Sequence, residues 1–80
     1  MKTVTVQYFA ILREQRGLTQ EKLTTAALTP AALYDELRAR YNFTLPGDRV
    51  RAAVNDEFVA SATPLREGDR VVFIPPVAGG

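Results

Sequence analysis

The chain has 80 residues, with no cysteine and no histidine, ten basic against nine acidic side chains, and a hydrophobic share of 46%, enough for a packed core. This excludes a disulfide staple and removes the commonest metal ligand and general base. A net charge of +1 leaves no electrostatic footprint for nucleic acid or an anionic membrane, and the length fits one domain.

The start, Met1-Lys2-Thr3-Val4, runs directly into an alternating pattern and has no long apolar core. Neither a signal peptide nor a membrane span is expected there, and the cytoplasm is the expected compartment. From Thr3 to Phe9 the residues alternate. Val4, Val6 and Tyr8 share one side, and Thr3, Thr5, Gln7 and Phe9 share the other, as in a half-buried strand. Ala10 to Arg16 consists mostly of good helix formers. It predicts one or two helical turns, stopped by Gly17 as a left-handed cap. After so short a connection the chain returns antiparallel, with a second strand over Glu21 to Ala27.

Thr29-Pro30 opens a helix, with threonine as N-cap and proline in the first helical position. Pro30, Leu33, Tyr34, Leu37 and Tyr41 fall at the spacing of one helical face, and Asp35, Glu36, Arg38 and Arg40 take the other. Asn42 ends this helix, which is expected to lie across the sheet. Thr44 to Asp48 contains Pro46-Gly47 and reads as a turn-rich loop. Val50 to Val54 is a third strand, Asn55-Asp56-Glu57 a tight turn, and Phe58 to Ala60 its short partner. A further turn at Glu67-Gly68-Asp69 precedes the last strand, Arg70 to Ile74.

Hairpin, helix and then strands make an α+β domain with one main helix on one face of a mixed sheet of about five strands. A right-handed crossover brings the last strand parallel to the first, at the sheet centre. This is the β-grasp, or ubiquitin-like, topology. The domain is expected to span residues 1–74, and an extended, flexible C-terminal tail residues 75–80.

Candidate chemistry inside the domain is sparse. The acid pairs Asp56/Glu57 and Glu67/Asp69 sit in turns, where solvated carboxylates are ordinary. No phosphate-cradling glycine loop is present, and without histidine no nucleophile–histidine arrangement is possible. The chain itself is expected to bind no cofactor and no metal.

The end of the chain is more informative. Pro75 and Pro76 cannot continue a strand ladder, because each lacks the N–H donor. Beyond them stand only Val77, Ala78, Gly79 and Gly80. A terminal carboxylate needs no catalytic side chain. Activated as an acyl-adenylate, it accepts a sulfur nucleophile, and glycine lets it pass through a narrow channel in another protein. The plainer reading of such a tail is a frayed terminus. Alternation also places Phe9 on one face with Val72 and Ile74 of the last strand, and Phe58 at the hairpin mouth extends that face. This predicts an apolar, partner-binding patch at the tail root, beside the plainer reading of scattered surface apolars.

Three blocks carry a resemblance over essentially the whole chain. They are Phe9-Ala10-Ile11-Leu12-Arg13-Glu14, then Ala53-Val54-Asn55, and Glu67-Gly68-Asp69-Arg70 running through Val71-Val72-Phe73-Ile74 to Pro75-Pro76-Val77-Ala78-Gly79-Gly80. Together they resemble the small, MoaD-type sulfur carriers of molybdopterin synthases. The resemblance implies a β-grasp fold and a Gly80 that is adenylated by an ATP-dependent activating enzyme and converted to a thiocarboxylate. It implies that the tail, Pro75 to Gly80, enters the large synthase subunit. There the sulfur turns precursor Z, a cyclic pyranopterin monophosphate, into the dithiolene of molybdopterin. The catalytic side chains would belong to the large subunit, and the assembly would be a heterotetramer with a small subunit at each end of a large-subunit dimer. Phe9, Phe58 and Ile74 match apolar positions that face the partner.

Two other readings stay open on the residues alone. One is a carrier of the same fold for thiamine thiazole formation or tRNA thiolation, or a ubiquitin-like modifier of lysines. The other is an interaction module whose tail is inert, for which deleting Gly79-Gly80 would change nothing.

Overall fold

A computed structural model describes residues 1–76 of the chain. The expectations for Val77, Ala78, Gly79 and Gly80 lie outside the described residues. Alternation of Val4, Val6 and Tyr8 produces strand β1, Lys2–Tyr8, whose three apolar side chains are all buried. Helix α1, Ala10–Arg16, follows at once and is closed by Gly17 in the left-handed conformation (φ 82°), whose N–H donates to the Arg13 carbonyl at 2.8 Å. Strand β2, Gln20–Thr25, returns antiparallel to β1.

Helix α2, Pro30–Tyr41, begins as its cap chemistry dictates. Thr29 Oγ1 accepts from the Ala32 N–H at 3.2 Å, and Pro30 sits where no N–H partner is needed. Asn42 closes it with φ 58°. Strands β3 (Arg51–Val54), β4 (Glu57–Val59) and β5 (Arg70–Ile74) complete one sheet in the order β2-β1-β5-β3-β4. β5 runs parallel to β1, with Val6 opposite Val71 and Tyr8 opposite Phe73, and antiparallel to β3. A helix held across a mixed sheet whose first and last strands are parallel at its centre is the β-grasp arrangement. No helix among the described residues is long and apolar enough to cross a membrane.

Leu33, Tyr34 and Leu37 of α2 are buried with the inner faces of β1 and β5 and with Leu12 of α1. Two core residues come from outside regular elements. Leu65 is buried in the long connection between β4 and β5. Phe43, one residue past the helix cap, lies 5.8 Å from the Tyr8 ring edge-on and 5.9 Å from the Tyr34 ring stacked.

β1 and the start of β2 each lie one residue earlier than the sequence reading, at Lys2–Tyr8 and Gln20, and three other differences have a local reason. β2 stops at Thr25 and not Ala27. The Thr25 hydroxyl accepts from the Ala27 N–H at 3.0 Å and donates to Glu36 at 2.8 Å, which turns the chain out of the ladder toward α2. β3 starts at Arg51, because Gly47–Arg49 forms a 3-10 turn that claims the Val50 N–H. The hairpin turn is two residues long, with Asn55 and Asp56 both left-handed (φ 52° and 73°), so Glu57 joins β4 and pairs with Val54.

Candidate partner-binding face and tail root

The parallel register puts Tyr8 opposite Phe73. The next step on each strand therefore brings Phe9 and Ile74 to the same end of the sheet. Ala10 has φ 52°, an uncommon value for a residue with a β-carbon. That left-handed step turns the chain from β1 directly into α1 and leaves Phe9 at the corner, 39% exposed. Phe9, Ala10 and Ile11 make one side of a groove of about 570 Å³, and Leu45, Ile74, Pro75 and Pro76 make the rest. Pro75 is half-buried and Pro76 exposed, so the chain leaves the body through this groove.

The outer sheet face, opposite α2, carries a second row of residues. Phe58 pairs with Ala53, Ala53 with Val72, and Val72 with Gln7. Val72 therefore occupies the predicted face, but it is buried at the centre of this row. Phe58 at the end of the row is 61% exposed. Arg51, which pairs with Ile74, lays its guanidinium over the Phe58 ring at 4.5 Å. Phe9 and Ile74 thus share the groove, whereas Phe58 forms a separate apolar and cationic spot on the same side of the sheet. A second groove, of about 490 Å³, opens on the α2 side beside Asp35 and Asp48 and is lined by other residues, among them Arg51 and Phe73.

The groove walls are held by polar contacts behind them. Gln15 and Thr44 exchange two hydrogen bonds: Gln15 Nε2 donates to Thr44 Oγ1 at 2.9 Å, and the Thr44 N–H donates to Gln15 Oε1 at 3.2 Å. The Tyr34 hydroxyl donates to the Leu45 carbonyl at 2.8 Å. At the far end of α1, Arg16 grips the Glu21 carboxylate at 2.8 and 2.9 Å and stacks 4.0 Å over the Tyr41 ring. The bonds from Arg16 hold the Glu21 carboxyl below its usual range. Burial, reinforced by the hydrogen bond to Glu21, pushes the Tyr8 hydroxyl well up.

Three of the four acids weighed as catalysts have structural bonds. Asp69 accepts from Asn55 Nδ2 and the Arg66 N–H, Glu67 accepts from the Thr3 N–H, and Asp56 pairs with Arg70. Residues the sequence reading left out of the site are Ala10, Ile11 and Leu45. Ile11 was findable, because it stands next to buried Leu12 in a short helix and cannot face the core as well. Leu45 lies in a loop with no periodicity, and nothing in the sequence marks it.

The chain is 35% identical to the molybdopterin synthase sulfur carrier subunit of Escherichia coli (strain K12), over 96% of this chain and 99% of that one. Among solved structures it is similar to a putative molybdopterin converting factor subunit 1 from Pyrococcus furiosus, with a TM-score of 0.78, 29% identity and coverage of 96% and 100%. It is also similar to a chain in a complex of subunits 1 and 2 of the molybdopterin-converting factor from Helicobacter pylori, with a TM-score of 0.67, 25% identity and coverage of 98% and 99%. The sequence profile of the ThiS family matches residues 6–80, from inside β1 through the final glycine, and the chain belongs to that family.

Proposed function

We propose that this chain is the sulfur-carrier subunit of a molybdopterin synthase and that the carboxylate of Gly80 is its working group. One observation carries the reading. In a chain matched over 96% of its length by a relative of that name, β5 ends at Ile74 beside Phe9, and Pro75 leaves through an apolar groove. Such an arrangement offers a partner a grip at the root of the tail while the described body supplies no competing chemistry.

The cycle has three parts. A carboxylate oxygen of Gly80 attacks the α-phosphorus of ATP on an activating enzyme, and pyrophosphate leaves. A hydrosulfide-level donor then attacks the acyl carbon, the bond to AMP breaks, and a thiocarboxylate remains. In the large subunit that sulfur is transferred to precursor Z, a second carrier supplies the other sulfur of the dithiolene, and hydrolysis of each acyl bond returns the carboxylate. ATP and the catalytic side chains belong to the partners, and this chain binds no cofactor of its own. The Helicobacter pylori complex supports a large-subunit partner, and a heterotetramer with a small subunit at each end of a large-subunit dimer is the assembly we propose, working in the cytoplasm.

Intact-mass measurement of the untagged chain, after incubation with activating enzyme, ATP and a sulfur donor, tests this. The expected result is a gain equal to one oxygen-to-sulfur exchange, located in the fragment ending at Gly80. No gain with an activating enzyme proven on another carrier would overturn it.

A further inference from the structure

One helix is too narrow to cover this sheet. Five strands at about 4.8 Å per step span roughly 19 Å, whereas a helix with its side chains is about 10–12 Å across. The buried side of α2 lies with β1 and β5 at the sheet centre. On the flank toward β3 and β4, Ala52 is too small to fill the space, and the groove of about 490 Å³ opens over Val50, Val59 and Phe73. That volume lies within the range of formed concave sites, roughly 300–1,000 Å³. Its rim is acidic. Asp35 comes from α2 and Asp48 from the 3-10 turn, and a β-carbon at Gly47, next to Asp48, would stand 3.5 Å from Asp35 Oδ1. Two elements therefore bring both acids to one stretch of rim. Both are exposed, and neither pairs with a cation among the described residues. Arg51, the one cation of the lining, has its guanidinium over the Phe58 ring on the outer face.

We propose that this groove takes an arginine side chain of another protein, with its methylene stem on Val50, Val59 and Phe73 and its guanidinium at Asp35 and Asp48. Charge complementarity selects the occupant. An apolar floor with two unpaired carboxylates at its rim matches a side chain that is apolar along its stem and cationic at its head. Carboxylates from two separate elements suit a planar guanidinium, whose five N–H groups serve more than one acceptor, better than a single strongly hydrated ammonium. An anionic occupant is repelled by the same rim. The groove shares no lining residue with the one at the tail root. The proposal therefore does not depend on the chemistry of Gly80, and it stands or falls apart from the carrier reading.

The test follows the amide signals of the full chain during titration with the blocked peptide acetyl-Leu-Arg-Leu-amide, with thermal unfolding measured in parallel. Saturable shifts are expected at Asp35, Gly47, Asp48 and Ser61, and binding is expected to weaken as salt is raised. Acetyl-Leu-citrulline-Leu-amide keeps the shape without the charge. It is expected to bind roughly tenfold more weakly or worse, as for loss of charge-assisted hydrogen bonds. Asp35→Asn combined with Asp48→Asn is expected to lose the same factor for the arginine peptide. Its unfolding midpoint should stay near the wild-type value, because both residues are exposed. Glu14→Gln removes an exposed acid of α1 outside the lining, and it should bind as wild type does. No shift at the lining amides up to the solubility limit of the peptide would overturn the proposal. Equal binding of the citrulline peptide would do the same and leave a plain apolar groove. Undiminished affinity in the folded double variant, or shifts of equal size at Asp56 and Glu57, would reduce the effect to unspecific pairing of charges. Concentration-dependent shifts at the lining amides without peptide, removed by Arg66→Gln, would give the groove to a second copy. Should the double variant fail to fold, the comparison of the two peptides on the wild-type chain decides the matter alone.

Discussion

The hydroxyl of Tyr8 donates to a Glu21 carboxylate oxygen at 2.6 Å, and Arg16 grips the same carboxylate through two nitrogens. β1, β2 and α1 are tied at one point, next to the corner where Phe9 leaves the sheet. Because Arg16 favours the charged form, the folded pKa of Glu21 lies below the unfolded one. The stability it contributes is therefore fully present above the unfolded carboxylate value, about 4.3, and is lost as pH falls from there through the folded value. In Glu21→Gln that part of the acid limb is expected to vanish, and stability at neutral pH to drop by about 1–3 kcal/mol. Urea midpoints measured across pH check both. An unchanged acid limb would assign acid unfolding to other carboxylates.

Phe43 touches three aromatic rings although it belongs to no helix or strand. Phe43→Ala is expected to cost about 3–5 kcal/mol. In a domain of this size that lowers the thermal midpoint by roughly 12 °C or more. Phe43→Leu should recover much of the loss. Calorimetry reads both variants, and a shift of only a few degrees in Phe43→Ala would show that the neighbouring rings collapse into the space.

At the hairpin two effects compete in Asp56. Its side chain pairs with Arg70, but that carboxylate is 77% exposed, and exposed pairs contribute about 0–1 kcal/mol. Its backbone sits at φ 73°, where a residue with a β-carbon costs about 1–2 kcal/mol and glycine does not. Asp56→Gly creates an Asn-Gly turn and is expected to stabilise the chain by up to about 1 kcal/mol. A lower urea midpoint would show that the pair with Arg70 outweighs the turn.

Phe9 stands at the exposed corner, so Phe9→Lys is expected to leave the fold intact, with a stability change within about 0.5 kcal/mol. Binding to the large subunit should weaken roughly tenfold or more. Circular dichroism and a titration separate the two, and loss of folding would place Phe9 in the core.

How far the sequence is readable varies with the kind of signal. Val4, Val6 and Tyr8 announced β1 by period, and Thr29-Pro30 and Asn42 announced both ends of α2 by cap chemistry. Those signals are local. Phe43, Leu45 and Leu65 lie in connections, where no period exists, and only the closed fold shows what they touch. Alternation placed Val72 on the outer face but could not say how much of it the neighbouring strands cover, and they leave it buried. The Thr25 hydroxyl that ends β2 needed Glu36, eleven residues on, to be visible as a stop.

The parallel pairing of β1 and β5 has a mechanical consequence. A pull on Pro75 runs along β5, which is bonded to β1 on one side and to β3 on the other. Such a load shears both ladders at once, with every bond sharing the force, and does not peel them open one at a time. A load applied at Pro75 therefore meets the sheet in its stiffest direction, and the body is expected to stay folded under it.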